Sequence, residues 1–463
     1  MRTTRRRSIV VSLVTLMFLA GIGFFVYKFV AVGNLWALSP VNKHFSARNF
    51  TAAGDILDTN GEILAHSENG KRLYHKDAAT RKAVLHTVGD DSTHIATAVQ
   101  TLYRDELYGY NFIFGTNFAE AFSQPKDIKL TIDSELCKKA LALLGSHRGA
   151  VCVSNYKTGA ILCMVSTPTY DPYHPEVVLE DKLGFYEGSY INRALSASYA
   201  PGSVMKLITS AAGLATLLNL EEKTYDCQQT KMVSDKKITC LAAHGDIALR
   251  EAMKNSCNIY FADLAIELGK KRMTQTANSL GFNRSFTFDR IETKKSVYDV
   301  HGADNYSLGW SGVGQYNDLL NPMHSLILMG AIANSGTAVL PHIVEDIYTE
   351  GTTNVERYLG RQTTETLIDA DVADRLKDMM RYNVEKNYGD SMFPGLNVCA
   401  KTGTAEVGEN KKPHGWMVGF SANEDTPLAF TVVVENSGYG SKTAGPIASA
   451  IMKSAAIRIA KAR

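Results

Sequence analysis

The strongest pattern along the chain is an almost unbroken apolar run from Ser8 to Tyr27. About 20 such residues cross a bilayer as one helix, so the run predicts a membrane span. Beyond it, Gly54 to Leu64 reads as a strand, an Asn60-Gly61 hairpin turn and a second strand. Ile128 to Ile132 predicts a strand and Ser134 to Leu144 a helix. Gly149 to Ser166 carries apolar runs on both sides of Tyr156-Lys157-Thr158-Gly159, a β-hairpin turning at the glycine. From Gly202 to Leu218 the chain is apolar nearly all round, which marks a helix enclosed by its domain. Further helices are predicted over 247 to 255, 258 to 268 and 322 to 334. Late strands over Val398 to Thr404, Trp416 to Phe420 and Leu428 to Glu435 precede a closing helix over 445 to 460. Strands at both ends of a domain with helices between them predict an α/β sandwich whose sheet joins early and late segments.

Composition refines this picture in one place. With 463 residues, 45% hydrophobic and 21% charged, the chain is long enough for more than one folded unit. A net charge of +2 gives no field that would select nucleic acid as a partner. The charge that matters is local: Arg2, Arg5, Arg6 and Arg7 precede the apolar run and only Lys28 follows closely. That asymmetry predicts a cytoplasmic tail over 1–7, a transmembrane anchor over 8–30 and everything later outside the membrane. A cleaved signal peptide ending near Ala31-Val32-Gly33 is the alternative, but the apolar core exceeds the 7 to 15 residues such peptides use. Residues 31–125 read as a small pedestal, and a composition shift near Pro125 opens a second domain over 126–463.

Serine is a weak nucleophile at neutral pH and needs a neighbouring base. A lysine three residues later on a helix shares its face. Ser-x-x-Lys occurs at Ser123, Ser154, Ser203 and Ser234, so context must choose. Ser123 runs into Gln124-Pro125, Ser154 into the hairpin turn, and Ser234 lies in a polar stretch that reads as a loop. Only Ser203 opens a buried helix, behind the tight turn of Pro201-Gly202. A helix N-terminus there offers backbone N–H groups to the nucleophile, and apolar surroundings would lower the pKa of Lys206 towards a useful base. Ser-x-Asn recurs at Ser67, Ser256 and Ser421, and Lys-Thr-Gly at Lys157 and Lys401.

Ser203-Val204-Met205-Lys206, then Ser256-Cys257-Asn258 between two helices, then Lys401-Thr402-Gly403 on a late strand form the trio of penicillin-binding proteins and β-lactamases. With Tyr199-Ala200-Pro201-Gly202, Gly312-Val313-Gly314-Gln315, Ala333-Asn334-Ser335-Gly336 and Thr404-Ala405-Glu406, the chain resembles class B penicillin-binding proteins past the anchor. The resemblance implies a transpeptidase domain with a five-stranded antiparallel sheet flanked by helices, behind a pedestal and one transmembrane helix. It implies that Ser203 attacks the penultimate D-alanine carbonyl of a stem peptide and that Lys206 takes the serine proton. Ser256 and Lys401 would relay a proton to the leaving D-alanine. Asn258 would hold the peptide amide, and Thr402 and Thr404 the terminal carboxylate. Gly403 would keep the strand edge clear for substrate. β-Lactams would acylate Ser203, and the glycan-polymerising partner would be a SEDS-family glycosyltransferase met through anchor and pedestal.

The seven cysteines cannot all pair with one another. Cys152, Cys163 and Cys399 fall on predicted strands as small core residues. Cys227, Cys240, His244 and Cys257 have the donor types of a closed structural zinc site. Some class B relatives resemble this in carrying zinc beside the Ser-x-Asn loop. A Cys227 to Cys240 disulfide with Cys257 buried and free is a second reading, and unlinked thiols are a third. Acyl transfer itself requires no metal.

A D,D-carboxypeptidase would use the same groups with water as acceptor. A β-lactamase would add a deacylating carboxylate, and no Glu-x-x-Leu-Asn-like segment supplies one. A β-lactam sensor would need a cytoplasmic signalling region, and only about seven residues precede the anchor. A scaffold without activity would not need the intact trio.

Overall fold

The computed structural model describes residues 2–37, 53–109, 124–349, 355–358, 362–408 and 411–462. Ser123 and the pedestal stretches 38–52 and 110–123 lie outside them. Helix α1 (Arg2–Ala37) contains the span Arg7–Val30, which is 24 residues long, has a mean hydropathy of 2.6 and has no buried share. The predicted anchor is thus one helix, and the basic tail is its first turns.

Strands β1 (Ile56–Leu57), β2 (Ile63–Glu68) and β3 (Lys71–Tyr74) lead to helix α2 (Ala78–Val88) and strand β4 (Lys126–Leu130). Helix α3 (Ser134–Leu144) is capped by Asp133, whose carboxylate accepts from the Leu136 N–H at 2.9 Å. Strands β5 (Gly149–Asn155) and β6 (Ile161–Thr167) form the predicted hairpin, with Gly159 at φ +85° in its turn. Helix α4 (Met205–Leu214), the hairpin of β7 (Thr224–Val233) and β8 (Lys236–Ala248), and helices α5 (Leu249–Asn255), α6 (Asn258–Ser279), α7 (Asn305–Val313) and α8 (Pro322–Ala333) follow. Strands β9 (Val344–Thr349) and β10 (Val355–Tyr358), helix α9 (Ala370–Asn383), strands β11 (Val398–Ala405), β12 (His414–Ser421) and β13 (Leu428–Val434), and helix α10 (Ala444–Ala462) complete the order.

The main sheet runs β11-β12-β13-β5-β6 and is antiparallel throughout, so early and late segments meet as the sequence predicts. Every residue of β13 is buried, as a strand covered on both faces requires. Helix α8 packs on β13, β12 and β5, while α3 and α10 pack on the sheet and on each other. Strand β11 is an edge of the sheet, and side chains take its outward backbone groups: Arg381 donates to the Val398 carbonyl at 2.9 Å and Asn383 to the Ala400 carbonyl at 2.8 Å.

A second sheet runs β10-β9-β4-β1-β2-β3 and crosses the line drawn at residue 125. Strand β4 pairs in parallel with β1, placing Ile128 beside Ile56, and β9 pairs with its other side. The segment at 126–130 is therefore a pedestal strand, and 344–358 returns to close the pedestal's sheet. One hydrophobic core joins Ile56 and Leu64 to Val151 and Phe430, so the two units share packing instead of meeting at a linker.

Candidate active site

Ser203 lies in a single 3-10 turn, Gly202–Val204, and the α-helix begins only at Met205. All ten residues of α4 are buried, but the helix stops at Leu214, short of the predicted Leu218, which is 95% exposed. Gly202 is locked by its surroundings. Its φ is +51°, and a Cβ there would sit 2.3 Å from the Thr404 carbonyl oxygen. Its N–H donates to the Gly314 carbonyl at 3.0 Å. The nucleophile turn is thus held between β11 and the loop after α7.

One turn further, Lys206 is completely buried. Its Nζ donates to the Ser256 carbonyl at 2.6 Å, to Asn258 Oδ1 at 2.8 Å and to Ser256 Oγ at 3.1 Å. Burial lowers its pKa to about 7, against the opposing pull of the Cys240 and Cys257 sulfurs. Ser256 ends α5 in the left-handed region (φ 52°, ψ 43°), a conformation that costs a non-glycine residue of order 1 kcal/mol. Cys257 then caps α6 by accepting the Tyr260 N–H at 3.4 Å. This sharp junction turns the Ser256 hydroxyl and the Asn258 amide into one site.

Ser256 is the hub. Its hydroxyl donates to Ser203 Oγ at 2.9 Å and accepts from both Lys206 and Lys401, the latter at 3.0 Å. Lys401 is 1% exposed, and its Nζ also donates to the Thr402 carbonyl at 3.0 Å. Burial, and then the charge of Lys206, push the Lys401 pKa well below the ordinary lysine value. In the resting site Lys206 reaches the nucleophile through Ser256, not by its own hydrogen bond.

The other expected residues gather around this hub. Asn258 has both ends of its amide engaged, accepting from Lys206 and donating through Nδ2 to the Thr239 carbonyl at 3.0 Å. Its Oδ1 thereby orients the base, and the residue also lines the cleft. A Cβ on Gly403 would meet the Pro201 carbonyl at 2.6 Å and Val204 Cγ2 at 2.9 Å. That glycine gives the nucleophile turn room to pack against β11. Thr402 shares a 2.8 Å hydrogen bond with the Tyr388 hydroxyl, and Thr404 Oγ1 accepts from the Gly440 N–H at 3.3 Å.

Ser203, Ser256, Asn258, Thr402 and Thr404 line one cleft of about 750 Å³. Tyr306 and Trp310 of α7 stand on its wall with Leu241 of β8. The motifs give no role to Tyr388, which follows α9 in an irregular turn at no recognisable spacing. Nor do they give one to Gln315, whose Nε2 donates to the Thr404 carbonyl at 3.2 Å. Gln315 stands inside the Gly312-Val313-Gly314-Gln315 segment, so its position carried a signal that the motif roles leave unused.

The cysteine and histidine donors converge behind the same junction. The donor atoms of Cys227, Cys240, His244 and Cys257 all lie within 4.8 Å of one another. Cys240 and Cys257 sulfurs are 3.9 Å apart, and His244 Nδ1 is 3.4 Å from Cys227 Sγ and 3.7 Å from Cys240 Sγ. A zinc tetrahedron with its usual bond lengths has edges of about 3.8 Å between sulfurs and about 3.6 Å between sulfur and nitrogen. The residues therefore fit the ion. All seven cysteines are free, so the expected alternative of a Cys227 to Cys240 disulfide is not formed here. Hydrogen bonding with the Cys257 thiol, helped by the Asn258 N–H at 3.3 Å, holds the Cys240 thiol well below the usual thiol range against its burial. A thiolate in this position is the form a metal binds.

A serine at the cleft wall, with two desolvated lysines meeting on a second hydroxyl beside it, defines a serine acyl-transfer enzyme. Residues 149–453 match the penicillin-binding protein transpeptidase domain, and the chain belongs to that family as a class B penicillin-binding protein. It is 29% identical to the peptidoglycan D,D-transpeptidase PbpA of Mycobacterium tuberculosis H37Rv, over 67% of each chain. It is 27% identical to PbpA of Mycolicibacterium smegmatis, over 97% of each. The solved ceftriaxone acyl-enzyme complex of penicillin-binding protein A from M. tuberculosis superposes with a TM-score of 0.78 at 25% identity, covering 88% of this chain and 99% of that one.

Proposed function

We propose that the protein is a membrane-anchored D,D-transpeptidase that cross-links peptidoglycan stem peptides through an acyl-enzyme on Ser203 and is blocked when β-lactams acylate the same oxygen. The observation that carries this reading is the chain of hydrogen bonds from Ser203 through Ser256 to Lys206 and Lys401. The neutral form of Lys206 is accessible near pH 7, so it accepts the Ser203 proton by way of Ser256 as Oγ attacks the penultimate D-alanine carbonyl. Ser256 and Lys401 deliver a proton to the nitrogen of the departing D-alanine. Backbone N–H groups of Ser203 and Thr404 face the oxyanion, and the Thr402 and Thr404 hydroxyls bind the terminal carboxylate. An acceptor amine then forms the new C–N bond, and the C–O bond to Ser203 breaks as its oxygen regains a proton.

Cys227, Cys240, His244 and Cys257 hold a structural zinc ion that pins the Ser256–Asn258 junction. Bound there, zinc supplies cross-linking of the β7–β8 hairpin to α6, and the acyl transfer runs on the serine and lysines. The basic tail stays in the cytoplasm, and the domain beyond the anchor lies outside. A SEDS-family glycosyltransferase is the partner the family resemblance supports, met through anchor and pedestal.

Full-length protein in detergent, given a donor peptide ending in D-Ala-D-Ala and an acceptor amine, should release D-alanine and form the cross-linked product, with benzylpenicillin stopping both. Release of D-alanine without cross-linked product would convert the reading to a carboxypeptidase. Metal analysis should find one zinc per chain, and Cys257→Ser should lose it with a lowered Tm. Native protein without zinc would remove the metal from the account.

A further inference from the structure

Glu406 lines the cleft beside Thr402 and Thr404, and it is the only acidic or basic side chain (Asp, Glu, Lys, Arg or His) among the described residues that do so. Burial alternates from Thr402 to the end of β11 and into the next residue, with Gly403 and Ala405 buried, Thr402 and Thr404 partly open and Glu406, just past the strand, exposed. Alternation puts Thr402, Thr404 and Glu406 on one side, and two residues of extended chain carry the carboxylate about 7 Å beyond Thr404. Among the described residues Glu406 makes no hydrogen bond or ion pair. Tyr316, Pro413 and the half-exposed Tyr439 line the cleft with it and give a cation apolar and aromatic surfaces to rest on. Lys206 and Lys401 lie buried beneath Ser256 and share in the acylation chemistry, while the exposed Lys411, Lys412 and Lys442 adjoin the cleft residues Pro413 and Ser441 without lining the cleft themselves.

We infer that Glu406 forms the acceptor subsite, a place for the primary ammonium group of the incoming stem peptide. This rests on the transpeptidase reading above. A carboxylate in the cleft wall raises the local concentration of a cationic nucleophile and repels anionic ones. The ammonium is collected there as a cation. The amine sheds its proton to solvent before its nitrogen advances the remaining distance to the acyl carbon.

The test uses full-length protein and a thioester donor peptide, with the acyl-enzyme partitioned between water, Nα-acetyl-lysine amide and hydroxylamine. Hydroxylamine is neutral at pH 7.5 and controls for the electrostatic effect. Glu406→Gln should raise the KM for the lysine amine about threefold and Glu406→Lys about tenfold, with hydroxylamine aminolysis unchanged and Glu406→Asp close to wild type. The wild-type preference for the lysine amine should weaken as salt rises. Equal effects on both nucleophiles, or none, with donor acylation intact would overturn the subsite and leave the transpeptidase reading standing. A longer-lived acyl-enzyme in plain water for Glu406→Gln would overturn it in favour of a water-activating base. Wild-type protein that forms no acyl-enzyme would remove the acyl-transfer reading and the subsite together.

Discussion

Lys-Thr-Gly occurs twice, and the two copies do different things. At Lys157 the chain bends: Asn155 Oδ1 accepts the N–H groups of Lys157 and Thr158 at 2.9 and 3.2 Å, and Gly159 takes a positive φ of 85°. Lys157 is exposed, its ammonium 5.5 Å from the Tyr156 ring centroid. At Lys401 the same tripeptide is extended on β11, paired residue by residue with Val418, Met417 and Trp416 of β12. There the ammonium is buried against Ser256. The chemistry therefore belongs to the desolvated strand position and its partners, and the tripeptide alone carries none.

The sharpest way to break this comparison is to remove each lysine. Lys401→Ala should lower the rate constant for labelling by a fluorescent penicillin by about 10²- to 10⁴-fold, the usual weight of a positioned proton-transfer group. Lys157→Ala should stay within about twofold, since an exposed side chain outside such features seldom matters. Comparable losses at both positions would contradict the assignment.

Next in size is the pH profile. The folded pKa of Lys206 is lowered to about 7 by burial, so its ammonium form dominates below that value and cannot accept the Ser203 proton. Labelling should fall about tenfold per pH unit below 7 and level off above it. The same shift bears on stability. Between about 7 and the ordinary lysine value the unfolded chain binds more protons than the folded one, so stability from this group rises with pH across that window and is lowest beneath it. Lys157→Ala should leave the kinetic profile in place.

The glycines give the smallest contrast. Gly159→Ala would press a Cβ to 2.3 Å from the Leu340 carbonyl at a positive φ, and Gly403→Ala would press one to 2.6 Å from the Pro201 carbonyl. Each should cost about 1–3 kcal/mol by thermal unfolding. Only Gly403→Ala pushes on the nucleophile turn, so only it should slow labelling of the folded protein. A folded Gly403→Ala that labels at the wild-type rate would show that the turn tolerates the shift.

Much of this was legible in the sequence, because each motif sits in a local pattern that discriminates. A buried helical run singled out Ser203 from the other three Ser-x-x-Lys serines, and a late predicted strand in order after the other two motifs singled out Lys401. The antiparallel sheet joining 149–167 to 398–434 followed from apolar runs at both ends of the domain. What stayed hidden depends on contacts distant in sequence. That Ser256 mediates between Lys206 and Ser203, and that Asn258 bonds both Lys206 and the Thr239 carbonyl, comes from the bend between α5 and α6. Strand β4 shows one buried face whichever sheet it joins, so its place beside Ile56 could not be read from its own residues. Tyr388 supports Thr402 from a turn with no periodic signature. Four sulfur and nitrogen donors at unequal spacing are compatible with zinc, a disulfide or free thiols until their distances are known.

The central claim is that Ser203 is the nucleophile of a desolvated serine–lysine network, and intact mass with peptide mapping after benzylpenicillin treatment tests it most directly. The full-length protein should gain the mass of one penicilloyl group, mapped to Ser203, and Ser203→Ala of native fold should gain none. An adduct on another residue, or an unchanged mass in folded wild-type protein, would contradict it.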